Sequence, residues 1–171
     1  VEGIAIDATN FPDEIFRTYV KEKFDTTADG ILSESELRQA TEINVSYKGI
    51  SDLTGVEYFT ALQALNCGAN SLTTLDVRQN TALQTLWCSG NNLTVLDVRQ
   101  NPKLNTLYCF NNNLTALDLS QNTALTNLEC DSNTYSIALT GGTFDLSTLP
   151  EGFDLSKASN WKNATVDGNT L

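Results

Sequence analysis

Four cysteines recur at a fixed step: Cys67, Cys88, Cys109 and Cys130 follow one another at intervals of 21 residues. Four thiols could hold a metal, pair as disulfides or form a redox centre. Metal-binding pairs usually sit a few residues apart with converging geometry. Thiols recurring at this long step instead fit a buried column of small apolar side chains, stacked about 5 Å apart on neighbouring strands. Such a spacing does not forbid a disulfide, but parallel side-chain vectors disfavour one. Reduced thiols are expected. Asp76, Asp97 and Asp118 recur at the same step. A carboxylate-pair glycosidase needs two acids flanking a cleft. A flat repeat face offers no cleft, so this is the weakest functional reading. Arg78 and Arg99 lie two residues beyond the first two acids and can offset their repulsion. The chain has no histidine. That removes Ser–His and Cys–His nucleophiles and every histidine-dependent metal site.

Residues 25–36 read DTTADGILSESE. The spacing matches a twelve-residue calcium loop: Asp25, Thr27 and Asp29 at positions 1, 3 and 5, Gly30 at the turn, Ile31 through its carbonyl, Ser33 at 9 and Glu36 at 12. With a helix expected on each side, the segment resembles a single EF-hand, and the resemblance implies Ca2+. Thr27 departs from the pattern, because an acid or amide is usual there. The competing reading has no calcium: Ser33 and Glu36 form a helix capping box and Gly30 makes the turn.

The net charge is −11, and its lysines and arginines form no cluster. A duplex-binding surface needs such a cluster to neutralise phosphates. Nucleic-acid partners are therefore not expected. No run of about 18 apolar residues is present, so no membrane insertion is expected. No charged and apolar leader opens the chain. A secreted protein whose signal peptide has been removed reads the same way.

The elements that position these residues come from the repeat. Around the cysteines the sequence runs LQALNCGANSLTTLDVRQN, LQTLWCSGNNLTVLDVRQN, LNTLYCFNNNLTALDLSQN and LTNLECDSN. A 22-residue unit precedes them, with Ile43 and Val45 matching Leu65 and Cys67. In L-x-x-L-x-C the second leucine and the cysteine are two apart, so both face inward on a strand. Stacked units place these strands in a parallel sheet, and stability comes from neighbours. The two halves of the unit share one template, which predicts extended backbone on both faces. Asn70, Asn91, Asn112 and Asn133 form one ladder, and Asn80, Asn101 and Asn122 another. Asparagine tolerates left-handed turns and bonds neighbouring backbone groups.

Over residues 42 to 134 the pattern resembles the bacterial leucine-rich repeats with nested periods of ten and eleven, the irregular 21-residue class, and more loosely the internalins. The resemblance implies an extracellular or cell-surface interaction module and names no ligand. The fold class is thus an α+β repeat. It is a leucine-rich-repeat solenoid with parallel sheet, a helical N-terminal cap over residues 1–41 and a short β C-terminal cap over 135–171. In the N-terminal cap, Ile15, Phe16, Tyr19 and Val20 share one face of a helix within residues 11–24, with Pro12 in its first turn. A second helix is expected near 34–40. The strand-like close at Leu171 is expected to continue in the native protein.

Outward positions carry the functional reading. Asn44, Asn66, Trp87, Tyr108 and Glu129 form one column, with Gly68, Ser89, Phe110 and Asp131 on one side and Ala64, Thr85, Thr106 and Asn127 on the other. Trp87, Tyr108 and Phe110 are expected to converge within a polar rim, the usual make-up of an interface centre. The alternative is ordinary cross-strand packing. The expected function is a non-enzymatic, monomeric binding module. Its ligand, a protein or carbohydrate, is anchored by these aromatics and oriented by Asn66, Thr85, Thr106, Asn127, Glu129 and Asp131. A structural spacer of a larger surface protein is the alternative.

Overall fold

The computed structural model describes residues 3–133. The expected C-terminal cap over 135–171, and the continuation past Leu171, fall outside the described residues. The chain opens with a short strand, β1 (Ile4–Ala5), followed by helix α1 (Glu14–Phe24), strand β2 (Ile31–Leu32) and helix α2 (Glu34–Gln39). Strands β3 (Glu42–Asn44), β4 (Ala64–Asn66), β5 (Thr85–Trp87), β6 (Thr106–Tyr108) and β7 (Asn127–Glu129) then form one parallel sheet in chain order. A 3-10 turn (Val56–Tyr58) sits on the first rung.

Successive 21-mers stack without slippage: Leu65 pairs with Leu86, and Leu86 with Leu107. The 22-residue first unit joins in the expected register, Ile43 opposite Leu65. Ile43, Leu65, Leu86 and Leu107 are fully buried, as are Val45, Cys67, Cys88 and Cys109 two residues further on. Period-two alternation on short strands therefore builds two internal columns side by side.

The first asparagine ladder closes the corner after each strand. Asn91 Nδ2 donates to the carbonyls of Cys67 and Cys88, each at 3.0 Å, and its Oδ1 accepts the Leu72 amide at 3.0 Å. Asn112 repeats the pattern one rung later on Cys88, Cys109 and Leu93. The left-handed residue at this corner is not the ladder asparagine, as expected, but the residue before it: Ala69, Gly90, Asn111 and Ser132. The amide side chain needs its own backbone in another conformation to reach both rungs.

The second half of each unit departs from the two-sheet expectation. Among the described residues no strand forms there. Asp76 Oδ1 accepts the Arg78 amide at 3.0 Å, and Asp97 and Asp118 do the same for Arg99 and Ser120. These local turns take the amides a ladder would use. Asn80 closes the turn by accepting nothing through its side chain: its Nδ2 donates to Val56 and Phe59 carbonyls, while its Oδ1 is buried without a protein partner.

The helical cap seals the first rung. Phe16, Val20 and Phe24 are the buried face of α1. Ile15 instead points outward, 45% exposed. Pro12 precedes the helix, since Asp13 is the N-cap, with its carboxylate accepting the Ile15 and Phe16 amides. Phe11 packs edge-on against Phe16 and Tyr58, and Gly55 (φ 105°) leaves no room for a Cβ beside that ring. Asp13 Oδ2 accepts the Ser51 amide at 3.0 Å, tying α1 to the solenoid.

The asymmetry between ladders is measurable. Asn112→Ala strips a donor from two buried carbonyls and an acceptor from the Leu93 amide, whereas Asn101→Ala strips only donors. At about 1–3 kcal/mol for the groups left unsatisfied, both variants lose stability. Asn112→Ala is expected to lose about 2–4 kcal/mol and Asn101→Ala less, by urea denaturation.

Candidate functional site

The outward face of the parallel sheet carries the residues singled out for binding. Leu86 points inward between Thr85 and Trp87, so those two stand on the same outer face. Register then aligns Thr85, Thr106 and Asn127 in one row, and Trp87, Tyr108 and Glu129 in the next. Trp87 is 38% exposed, large for an indole on a folded surface. Its ring stacks on Tyr108, with centroids 6.4 Å apart and planes 23° from parallel. Phe110 stands two residues beyond Tyr108, half-buried, and no ring–ring contact among the described residues joins it to the pair. The three aromatics thus divide into a stacked pair and a separate ring.

The polar rim is partly committed to the protein itself. Asn66 Oδ1 accepts the Gly68 amide at 3.2 Å. Asn127 Nδ2 donates to Thr106 Oγ1 at 3.3 Å, and that hydroxyl donates to Asn105 Oδ1 at 2.9 Å. Asp131 accepts from Ser132 Oγ at 3.3 Å. Asn127, Glu129 and Asp131 are exposed, while Asn66, Thr85 and Thr106 are half-buried. Behind this face, Ser89 Oγ is buried with no hydrogen-bond partner.

The opposite face is not flat. A hollow of about 520 Å³ is lined by Asp52, Glu57, Asp76, Arg78, Asp97 and Val95 among others. The expectation that the repeats offer no cleft is corrected on this side. The first rung, one residue longer than the regular ones and carrying the 3-10 turn, contributes Asp52, Leu53, Thr54 and Glu57 to this lining. Two of the acids are matched by their own arginines. Arg78 clamps Asp76 through Nε at 2.9 Å and Nη2 at 2.6 Å, and Arg99 clamps Asp97 at 2.9 Å through both. The Arg99 hydrogen bonds hold the Asp97 carboxyl down to about 2, and Arg78 lowers that of Asp76.

In the 25–36 loop, Asp25 accepts the Asp29 and Gly30 amides, and Asp29 accepts the Ile31 amide. Glu36 is 6% exposed. Its Oε1 accepts the Thr26 amide and hydroxyl at 2.8 and 2.7 Å and the Thr27 amide at 3.2 Å; its Oε2 accepts the Ser33 amide and hydroxyl at 2.8 and 2.7 Å. The capping box is therefore present. Among the described residues no group of three acidic or cysteine side chains is arranged to hold a metal. The loop also pairs β2 with β1, Leu32 opposite Ile4. Sequence reasoning gave no sign of β1.

Cys67 and Cys88 are free, fully buried thiols. Val45 fills the same inward position on the first rung, fully buried. A side chain of this size is what the column requires, and a thiol meets it.

A family model described as leucine-rich repeats in two copies matches residues 81–121. Internalin J from Listeria monocytogenes serotype 4b is 44% identical over 70 residues, 41% of this chain. The solved functional domain of internalin J, described as including a cysteine ladder, superposes at TM-score 0.72 with 41% identity over 78% of this chain. The repeats are internalin-like leucine-rich repeats. The chain spans only 8% of the length of that curated internalin J and 30% of the solved domain. A leucine-rich-repeat protein from Leptospira interrogans matches at TM-score 0.51, with 29% identity over 59% of this chain and 33% of its own. The internalin-like cysteine column seen here has the register that a ladder requires.

Two measurements check this chemistry. Burial pushes the Cys67 thiol up to about 12 and that of Cys88 well above the ordinary range. Thiolate is the reactive form, so Ellman's reagent at pH 8 is expected to spare Cys67, Cys88 and buried Cys109 until urea unfolds the chain; rapid labelling of the native protein contradicts the buried column. For Glu36, hydrogen bonds from Ser33, then Thr26, lower the carboxyl from 4.5 to about 2. Its contribution is present above about 4.5 and is lost as pH falls toward about 2. Glu36→Gln is expected to cost about 1–3 kcal/mol at pH 7, with the melting-temperature gap closing as pH approaches 2; a gap independent of pH refutes the assignment.

Proposed function

We propose that this chain is a non-enzymatic, extracellular or cell-surface binding module that docks a protein ligand on the outward face of its parallel sheet. The observation that carries this reading is the exposed Trp87–Tyr108 stack, set in a row of otherwise polar or small outward residues. Exposed aromatics within a polar rim are typical of interface centres. The likeness to internalin J supports an interaction role. Phe110, Asn66, Thr85, Thr106 and Asn127 extend the contact area around the pair. Among the described residues no helix is long and apolar enough to cross a membrane.

A glycan is the second ligand class. Aromatic faces beside amide and carboxyl groups suit a sugar ring. Calcium at the 25–36 loop is a separate proposal; it requires Glu36 to leave Thr26 and Ser33 for the ion. A melting-temperature rise in millimolar calcium, absent in Glu36→Gln, supports it.

The docking face is tested by Trp87→Ala with Tyr108→Ala. On protein and glycan arrays the double variant is expected to lose binding at least tenfold, consistent with about 2 kcal/mol or more for a central aromatic anchor. Its far-ultraviolet spectrum stays unchanged, because both rings lie outside the core. Affinity retained by a folded double variant sinks the site.

A further inference from the structure

Some acids of this molecule are matched by an arginine and others, Asp52, Glu57 and Asp118 among them, are in no ion pair among the described residues. On the face with the hollow, Asp76 and Asp97 are each clamped by an arginine of their own rung. On the sheet face the charged outward residues among those described are Glu42, Glu129 and Asp131, and among the described residues no lysine or arginine stands at an outward strand position. The ion pairs among the described residues are Arg38–Glu34, Arg78–Asp76 and Arg99–Asp97. None reaches Glu129 or Asp131. Lys48 stands at the corner of the first rung, and at about 4.8 Å per strand it lies roughly 19 Å along the sheet from Glu129.

Register places these acids, which form no ion pair among the described residues, beside the aromatics. Trp87 pairs with Tyr108, and Tyr108 with Glu129, on three consecutive strands. An exposed carboxylate therefore sits one strand spacing from the tyrosine of the stack. A planar cation fits this row well. A guanidinium lies flat on an aromatic face and presents its edge donors to a neighbouring carboxylate. A neutral sugar would use the rings but leave the carboxylates without a counter-charge. A lysine would supply the charge without the planar stack. The chain's net charge of −11 adds long-range attraction for a basic partner.

Resting on the docking reading above, we infer that the partner is a protein segment bearing arginine, whose guanidinium lies on the Trp87–Tyr108 stack and pairs with Glu129. Asp131, two residues on and on the same face, favours a second basic residue in the same segment.

The test uses the full chain with Trp161→Phe, so that Trp87 is the sole tryptophan. Its fluorescence is titrated with hexa-arginine, with the same peptide made of neutral citrulline, and with hexa-lysine. Saturable quenching is expected with hexa-arginine, weaker binding with hexa-lysine and none with citrulline. Glu129→Gln is expected to weaken hexa-arginine binding roughly threefold to tenfold, in line with an exposed cation–aromatic contact plus an exposed ion pair. Asp76→Asn with Asp97→Asn, on the other face, leaves it unchanged. Equal binding of citrulline and arginine peptides that requires Trp87 and Tyr108 overturns the arginine inference and keeps the docking face. Hexa-arginine binding that survives Trp87→Ala with Tyr108→Ala, followed by calorimetry because that variant has no indole left to report, overturns the arginine inference. Equal weakening by the variants on the two faces assigns the attraction to net charge and overturns the inference.

Discussion

A side-chain amide buried at the corner of each rung is the interaction on which everything else rests. Asparagine Nδ2 reaches the carbonyls of its own rung and the one before, and Oδ1 takes an amide of the preceding rung. A parallel stack has to turn its chain inside the protein, where unpaired backbone groups are costly. The asparagine meets three of those groups at once and links two rungs in doing so. It thereby fixes the spacing and phase of the coil. The cysteine column follows, because the carbonyls that the amides grip are those of Cys67, Cys88 and Cys109. Their side chains must then fit the interior directly behind the corner.

The second ladder shows what the molecule becomes when that bond is half made. Asn80, Asn101 and Asn122 donate to two carbonyls each, but their Oδ1 atoms are buried without a protein partner. The corner amides on this side are taken up by Asp76, Asp97 and Asp118 in local turns. The backbone on this side therefore forms no strand, and the rungs are not held flat. Where the longer first rung meets the regular ones, a hollow opens.

Whatever followed from the period was legible in the sequence. Leu65, Leu86 and Leu107 had to align, and with them Trp87 and Tyr108, because a solenoid converts a 21-residue step into a lateral neighbour. The capping box was legible as one of two readings of Ser33 and Glu36. The features that were not legible depend on local competition rather than on period. Both halves of the unit share a hydrophobic template, but in the second half the aspartate of L-D-V or L-D-L bonds the backbone of its own turn, a local competition with sheet pairing. Phe16, Val20 and Phe24 follow one another at four-residue steps along α1, whereas Ile15 lies roughly half a turn away from Phe24. The apolar set Ile15, Phe16, Tyr19 and Val20 is wider than the face that Phe11 and Phe59 cover, and where those rings stand is a tertiary fact. Strand β1 is two residues long and has no pattern of its own; it exists because β2 offers an edge.

Because each column is one residue type read down successive rungs, a solenoid can vary its two faces independently. The inward columns tolerate only residues of one size, as the exchange of Val45 for cysteine shows. The outward columns carry no such constraint, so an aromatic at one rung and a carboxylate at the next can be set side by side without disturbing the core. That freedom has an electrostatic consequence. An arginine two residues after an aspartate neutralises it within its own rung, as on the hollow face. A carboxylate placed on the sheet row has no such partner among the described residues, since the same-face columns two residues away hold small, polar, aromatic or acidic side chains and no lysine or arginine. Whether an acid is neutralised within its own rung is therefore set by the column it occupies and by the residue two positions on: arginine after Asp76 and Asp97, serine after Asp118.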